Sequence, residues 1–388
     1  MGPLDYQNKK CIVKIFDEKA MTDNSANINA FLELIRAGLW EKDSRLTSFG
    51  EIDFMGLYEL AQEQAVIGLI AAGLEHVVDI KIPQQMALST AGDVMLLEQQ
   101  NRAMNQFIAE LISKMRIAGI YAILVKGQGI AQCYERPLWR TFGDVDLFLN
   151  QENYRLAKEF LSLFASKMEE ENPKSLHLGM TIDKWKVELH GTLRSGLWSK
   201  LERGLDETQE SVFCGGNVRS RTNGDVQVFM PGVNEDVIFV FSHILQHFFI
   251  GGICLRQICD WCRLLWAYKD SVNPGIIESR MRKMALLTEW RAFASLAVNY
   301  LGYPSDGMPL YDASSKWRKK AECILFIILE VGNMGHNRDV NYQQNSSVLL
   351  RKLITLRRLS CDAYKQFLIF PKDAIIIWWK MVTRVVDH

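Results

Sequence analysis

Apolar residues recur at helical spacing through the first third of the chain. Leu32, Leu34, Ile35 and Leu39 form one such set, and Leu57, Leu60, Ala61 and Ala65 another. A longer helical pattern runs from just after Pro83 to Ala118, with a break expected near Gly92 and a stop at Gly119. Residues 1–119 therefore read as an N-terminal helical region. The texture then changes. Residues 121–125 are a short β-prone apolar run ending at Lys126-Gly127. Residues 129–134 read as a short helix, broken at Arg136-Pro137. A second strand is expected at 145–149, an amphipathic helix at 154–168, and two further strands at 176–182 and 185–193. Asn223-Gly224, between β-like stretches at 218–221 and 226–229, is a hairpin signal. Strands mixed with helices over 120–232 predict a small α/β or α+β catalytic core.

From 233 to the end the helical period returns, at 237–249, 254–268, 276–284 and 289–301. A polar loop over 332–347 and a basic amphipathic helix over 348–360 follow. The predicted fold class is α+β and mainly helical, with helical regions at 1–119 and 233–388 flanking the core.

Charge and composition narrow the function. Acidic and basic residues number 45 each, for a net charge of +0. No global field draws in nucleic acid, so such a contact would need a local basic patch. The first residues lack the apolar middle of a signal peptide, and no run reaches the roughly 18 apolar residues of a membrane span. A cytoplasmic location is expected, with the eight scattered cysteines reduced.

Candidate chemistry concentrates in the core. In Gly143-Asp144-Val145-Asp146, the two acids stand two apart and share one face of a strand. Carboxylates so close repel unless a cation lies between them, and magnesium takes oxygen ligands and bridges phosphates. A strand end with two solvated acids gives the same pattern. Lys126-Gly127-Gln128-Gly129 closes a strand and opens a helix, where glycines let backbone amides approach phosphate oxygens. A plain turn with a surface lysine is the alternative. Glu188, inside Val187-Glu188-Leu189-His190, is either an exposed strand acid or a third metal ligand brought in by an adjacent strand.

Taken in order, these pieces resemble a known family. The stretch LVKGQGIAQCYERPLWRTFGDVDLFL is similar to the uncharacterised nucleotidyltransferase family of the DNA polymerase beta-like superfamily. That pattern is a strand, Lys-Gly, a helix with a tyrosine, an arginine, then Asp-x-Asp. Here these are Lys126, Gly127, Tyr134, Arg140, Asp144 and Asp146. KVELH resembles the family's later acid-x-His strand, giving Glu188 and His190. HILQHFFIGGICLRQICDWCRLL resembles its following helical segment, where His243, His247, Arg256 and Asp260 fall at matching places, and LYELAQEQAVIGLIAAGL resembles its helical lead-in. The likeness covers about residues 30–270. One departure is that Gln128 follows Gly127, where the superfamily usually has serine or glycine.

The resemblance implies a polymerase beta-like core with a mixed sheet and a two-metal nucleotidyl transfer. Asp144, Asp146 and Glu188 would hold two Mg²⁺ ions, with Mn²⁺ as a substitute. A nucleoside triphosphate, ATP among the candidates, would give its nucleoside monophosphate to an acceptor hydroxyl and release pyrophosphate. Lys126, Arg140 and the amides of Gly127 and Gln128 would hold the leaving phosphates. A small molecule, sugar or protein acceptor is favoured over nucleic acid. The competing readings are a toxin-like transferase acting on transfer RNA and a non-catalytic nucleotide-binding or scaffold protein.

Other signals are weighed against plainer explanations. His243 and His247 have the spacing of two zinc ligands, yet no third ligand is evident, so they read as ordinary helix-face histidines. Arg256 and Asp260 are either an i, i+4 surface pair or the lining of a cleft, as the resemblance suggests. Cys254, Cys259 and Cys262 read as small core residues. Arg351, Lys352, Arg357 and Arg358, with the apolar Ile375, Ile376, Ile377, Trp378 and Trp379 beyond them, read as packed C-terminal helices; the alternative is peripheral contact with a membrane surface.

Overall fold

The computed structural model describes residues 25–173, 175–332 and 348–387. The chain opens with helices α1 (Ser25–Trp40), α2 (Phe54–Glu63), α3 (Ile67–Glu75) and α4 (Gln84–Ile117). Asp53 caps α2 by accepting from the amides of Met55 and Gly56, which satisfies donors that have no partner within the helix. Helix α4 runs unbroken through Gly92, contrary to expectation. That glycine is exposed, and a Cβ there would meet nothing, so its only penalty is the roughly 1 kcal/mol of propensity.

The core follows as β1 (Ile123–Val125), α5 (Gly127–Ala131), β2 (Val145–Phe148), α6 (Gln151–Ser162), β3 (Ala165–Met168), β4 (His177–Ile182), β5 (Trp185–His190), α7 (Ser199–Phe213), β6 (Val218–Asn223) and β7 (Val226–Pro231). The helix expected over 154–168 stops at Ser162. Its last residues form β3, which pairs antiparallel with β4 and has three exposed positions out of four. An edge strand this exposed leaves no alternation of apolar and polar residues to read. The β6–β7 hairpin forms as expected, with Gly224 at a φ of +60° in its turn.

The seven strands form one mixed sheet in the order β3-β4-β5-β2-β1-β7-β6. β2 runs parallel to β5, and β1 parallel to β7; the remaining neighbours are antiparallel. Odd positions of β2 and β5, namely Val145, Leu147, Val187 and Leu189, face a core completed by Met104, Ile108 and Leu111 of α4 and by Leu161 of α6. Ile123, Val125 and Phe148 face the opposite way, into a larger helical core. Asp146 and Glu188 alternate with the first set, so they lie on the second face.

Helix α8 (Val233–Ile250) packs on that second face, backed by α9 (Leu255–Ala267), α10 (Pro274–Met284), α11 (Leu287–Leu301) and α12 (Ser315–Val331) in the larger core; α13 (Val348–Phe367) and α14 (Pro371–Asp387) follow. The polar loop expected over 332–347 lies, but for Gly332, outside the described residues. The first and last helical segments share one core. Trp40 Nε1 donates to Leu301 O at 2.7 Å and Arg36 Nη1 to Tyr300 O at 3.1 Å. The buried Gln64 accepts from Leu255 N at 3.0 Å and donates to Ile328 O at 3.3 Å. Cys254, Cys259 and Cys262 are buried core residues, as expected. No helix among the described residues is long and apolar enough to cross a membrane.

Helices α1 and α3 meet backbone to backbone at Gly38 and Gly73. A Cβ on Gly38 would stand 2.0 Å from Leu69 O, and one on Gly73 2.1 Å from Leu34 O. Gly38→Ala gains about 1 kcal/mol of helix propensity but forces the helices apart, at a cost of about 1–3 kcal/mol. With the clash against backbone rather than a flexible side chain, the loss dominates. Denaturant unfolding should show a lower midpoint for Gly38→Ala, and an unchanged or raised one would refute the contact.

Glu289 on α11 is buried, and one of its carboxyl oxygens has no hydrogen-bond partner. Burial, then the neighbouring Asp373 carboxyl, pushes its pKa well above the usual range. The folded state thus binds a proton that the unfolded state releases. The stability this group contributes is full below about pH 4.5 and is lost as pH climbs toward the raised value. Glu289→Gln keeps that buried side chain neutral at every pH. The variant should melt close to the parent at pH 4 and increasingly above it toward pH 8.

Candidate functional site

Parallel pairing of β2 with β5 sets Asp146 directly opposite Glu188, and register partners project from the same face of a sheet. Asp144, two residues before Asp146, joins them. The acids are gathered around two ammonium groups. Lys126, at the end of β1, lies with Nζ 2.8 Å from Asp146 Oδ1. Lys186 Nζ lies 2.7 Å from Glu188 Oε1 and 3.5 Å from Asp144 Oδ2. His190 Nε2 meets Asp146 Oδ1 at 2.8 Å, and His177 Nε2 meets Glu188 Oε2 at 3.1 Å.

The electrostatics follow from burial and these partners. Burial, then Glu188, raises Asp144 to about 6. Burial works against ionising Asp146 as well, yet Lys126 and His190 outweigh it and hold its carboxyl below the usual range. Glu188 is likewise buried, but hydrogen bonds from His177 and Lys186 hold it well below. Burial and the nearby Lys126 cation lower His190 and bring His247 down to about 4. At neutral pH His190 and His247 are therefore uncharged.

Local backbone supports the arrangement. Lys126 takes a φ of +54° and Gly127 a φ of +37°. A non-glycine residue is strained there, and such strain tends to collect at functional sites. A Cβ on Gly127 would come within 3.2 Å of Asp144 O, so glycine is what lets the strand-to-helix turn sit against the acid loop. The amides of Gly127 and Gln128 head α5, where the first turn's N–H groups have no partner within the helix.

A cavity of about 360 Å³ opens over this floor, lined by Lys126, Gly127 and the three acids from the sheet and by Val240, His243, Ile244 and His247 from α8. Its size falls in the lower part of the range for small-molecule sites. The predicted residues Arg256 and Asp260 also line it, from α9. They do not pair with each other. Arg256 Nη1 donates to Thr141 O at 3.0 Å and Phe142 O at 3.1 Å. His243 and His247 pack ring against ring, with centroids 4.3 Å apart.

Two of the predicted residues have side chains already engaged within the protein. Arg140 lines the cavity, but its guanidinium is committed to protein partners. It is buried, and its Nε and Nη2 each lie 2.7 Å from an oxygen of Asp260 while Nη1 donates to Thr141 O. Tyr134 donates to the same Asp260 carboxylate at 2.7 Å. This bidentate pair locks the loop before β2 onto α9. The Gln128 side chain turns away from the cavity, is buried, and donates to Asn101 Oδ1 at 2.6 Å, which leaves only its backbone amide for a ligand. Conversely, Lys186 and His177 were not expected. Lys186 is legible in hindsight, because it shares the strand face of Glu188 and His190 in Lys186-Val187-Glu188-Leu189-His190. His177 becomes a neighbour only through the β4–β5 register.

A family model described as an uncharacterised nucleotidyltransferase matches residues 50–302. The chain belongs to that family. It is accordingly a nucleotidyltransferase enzyme, and a nucleotide is its substrate. Comparison with curated proteins and with solved structures finds no match. The matched segment of this nucleotidyltransferase spans the whole sheet and helices α8 and α9, and so every residue of the acid–lysine cluster.

The Arg140–Asp260 pair makes a testable claim about which cations serve structure. Removing one partner of a buried ion pair strands the other charge and costs about 3–5 kcal/mol, whereas an apolar pair of similar volume is often tolerated. Asp260→Ala should therefore unfold at markedly lower denaturant, and the double variant Arg140→Met with Asp260→Leu should recover most of the loss. A stable Asp260→Ala protein would return Arg140 to the list of phosphate contacts.

Proposed function

We propose that this transferase has a polymerase beta-like catalytic core and moves a nucleoside monophosphate from a nucleoside triphosphate to an acceptor hydroxyl, dependent on a divalent cation. The observation that carries the reading is the in-register placement of Asp146 against Glu188, with Asp144 beside them, on the floor of a cavity that also holds Lys126. The donor set suits magnesium: three carboxylates offer hard oxygens, and the two ammoniums drawn among them show how strongly the cluster attracts positive charge. Asp144, Asp146 and Glu188 are the residues that would hold the cations, which when bound neutralise the acids and stabilise the entering and leaving oxygens.

The chain's own groups account for the rest. The triphosphate lies along the sheet floor, against Lys126 and the amides of Gly127 and Gln128. Arg256 and Lys186 replace Arg140 as the further cations at the cavity wall. Helix α8 offers the opposite wall, where Val240 and Ile244 are apolar and His243 and His247 are uncharged, suited to a base or sugar rather than a phosphate. The acceptor hydroxyl attacks the α-phosphorus, its proton passes to a carboxylate of the triad, and pyrophosphate departs. The family resemblance gives the proton-accepting role to Glu188. His190, bonded to Asp146, fixes that acid's orientation.

The acceptor enters from a second cavity, of about 740 Å³, which shares Ala65, Thr141 and Phe142 with the first. Among the described residues its polar lining is Gln62, Glu63, Asp93, Gln100 and Thr141, two of them acidic and none basic. Such a wall repels polyanions, so a small molecule, a sugar or an uncharged protein segment suits it better than transfer RNA. In the test, each nucleoside triphosphate is incubated with Mg²⁺ and a panel of hydroxyl acceptors, and pyrophosphate release is measured. Asp146→Asn should lower the rate by at least about 10²–10³, the usual scale for losing a preorganised electrostatic group, at a temperature where a thermal melt shows the variant folded. Full activity in Asp146→Asn would overturn the proposal.

A further inference from the structure

The acid cluster has a nitrogen-bearing side. His177 opens β4, and its register partner across the antiparallel pair is His190 on β5. The two rings lie 4.8 Å apart by their centroids. Glu188 stands two residues before His190 on the same strand face, and the His190 Nε2 that meets Asp146 at 2.8 Å would exchange that bond for a bound ion. The ligand atoms of His177, Glu188 and His190 all lie within 4.8 Å of one another, and this is the group among the described residues whose donors converge in that way. Glu188 Oε2 is 3.1 Å from His177 Nε2 and 3.7 Å from His190 Nε2. Donors bound tetrahedrally at 2.0–2.2 Å, the zinc distances, sit roughly 3.4 Å apart. The observed separations bracket that value.

We propose that His177, Glu188 and His190 form a transition-metal site of the zinc, cobalt or manganese class beside the Asp144–Asp146 pair, so that Glu188 belongs to a mixed imidazole–carboxylate set. The inference rests on the reading of the acid cluster as a cation centre and changes which cation it selects. Imidazole nitrogen favours zinc-like ions, while magnesium prefers oxygen and water. Lys186, now on Glu188 Oε1, leaves Oε2 facing the histidines. Leu176, immediately before His177, takes a φ of +45°, a strained conformation for a leucine that delivers the imidazole to the sheet face. The His177 side chain is about a third exposed, which gives an ion a route in from solvent.

Cobalt(II) is the probe, because its visible ligand-field band reports nitrogen ligation without any turnover. The full-length protein, free of nucleotide, is titrated with Co²⁺ and the band is then chased with Zn²⁺. The expected result is one equivalent of bound Co²⁺, displaced by Zn²⁺. His177→Ala and His177→Gln should each weaken binding more than roughly a hundredfold, beyond the 10–100-fold that loss of an outer partner alone produces. Asp144→Asn should keep the band. Thermal melts of the two His177 variants confirm that they fold. If no band forms, or if it is indifferent to both His177 and His190→Asn, the proposal is overturned. Loss of Mg²⁺-dependent triphosphate binding in Asp144→Asn tests the nucleotidyltransferase centre separately, so the two readings can fail independently.

Discussion

The hydrogen-bond register between β2 and β5 is the constraint on which the site depends. Side chains alternate along a strand, so a slip of one residue would turn Asp146 into the apolar layer under α4 and bring Leu147 or Val145 to the surface. The register is held from below. Val145, Leu147, Val187 and Leu189 are all buried against the same core, and none could exchange places with its acidic neighbour without burying a charge among methyl groups. The apolar half of each strand thus fixes the position of the polar half. The acidic floor is placed by hydrophobic packing rather than by any partner of the acids themselves.

Concentrating three carboxylates on that floor is unfavourable, and the surrounding charges show how the chain manages it. Lys126 and Lys186 enter the cluster itself and offset its charge directly. Arg140 stays outside it. Its guanidinium is committed to Asp260 in a buried, bidentate pair, which geometry of this quality and a third bond from Tyr134 make tolerable. Two kinds of positive charge therefore serve two purposes. Flexible ammoniums attend the reacting region, while a rigid guanidinium ties the loop carrying Thr141, Phe142 and Gly143 to the helical wall. Arg256 strengthens the same tie through the carbonyls of Thr141 and Phe142.

Much of this was legible in the sequence, and the illegible part has physical reasons. Asp-x-Asp on an apolar strand and the acid in Lys-Val-Glu-Leu-His announce themselves by alternation. The helices of the last third stand out because one face of each is consistently apolar. Arginine chemistry is harder to read. Arg140 and Arg256 carry the same charge, and only tertiary contacts reveal that one is sealed by Asp260 while the other hangs over a backbone loop. The spacing of Arg256 and Asp260 suggested a pair between them, but the arginine 120 residues away in sequence offered Asp260 better geometry and deeper burial. Edge strand β3 was hidden for the opposite reason, since its exposed residues leave no pattern at all. His177 is invisible for a third, because its significance lies in the cross-strand partner.

The cleft's two walls differ in kind, and that difference bears on what can bind. The sheet side is dense with ionised groups. On the helix side, burial and the field of Lys126 keep His247 neutral down to about pH 4 and hold His243 well below its ordinary range. A neutral imidazole presents one donor and one acceptor, so α8 can read hydrogen-bonding edges without adding charge. Were those histidines protonated, they would repel Lys126 and compete with it for the acids and for phosphate. Their neutrality is thus part of what keeps Lys126 beside Asp146, and the position of that lysine keeps them neutral in turn. The charged floor and the uncharged wall reinforce each other across the cavity they share.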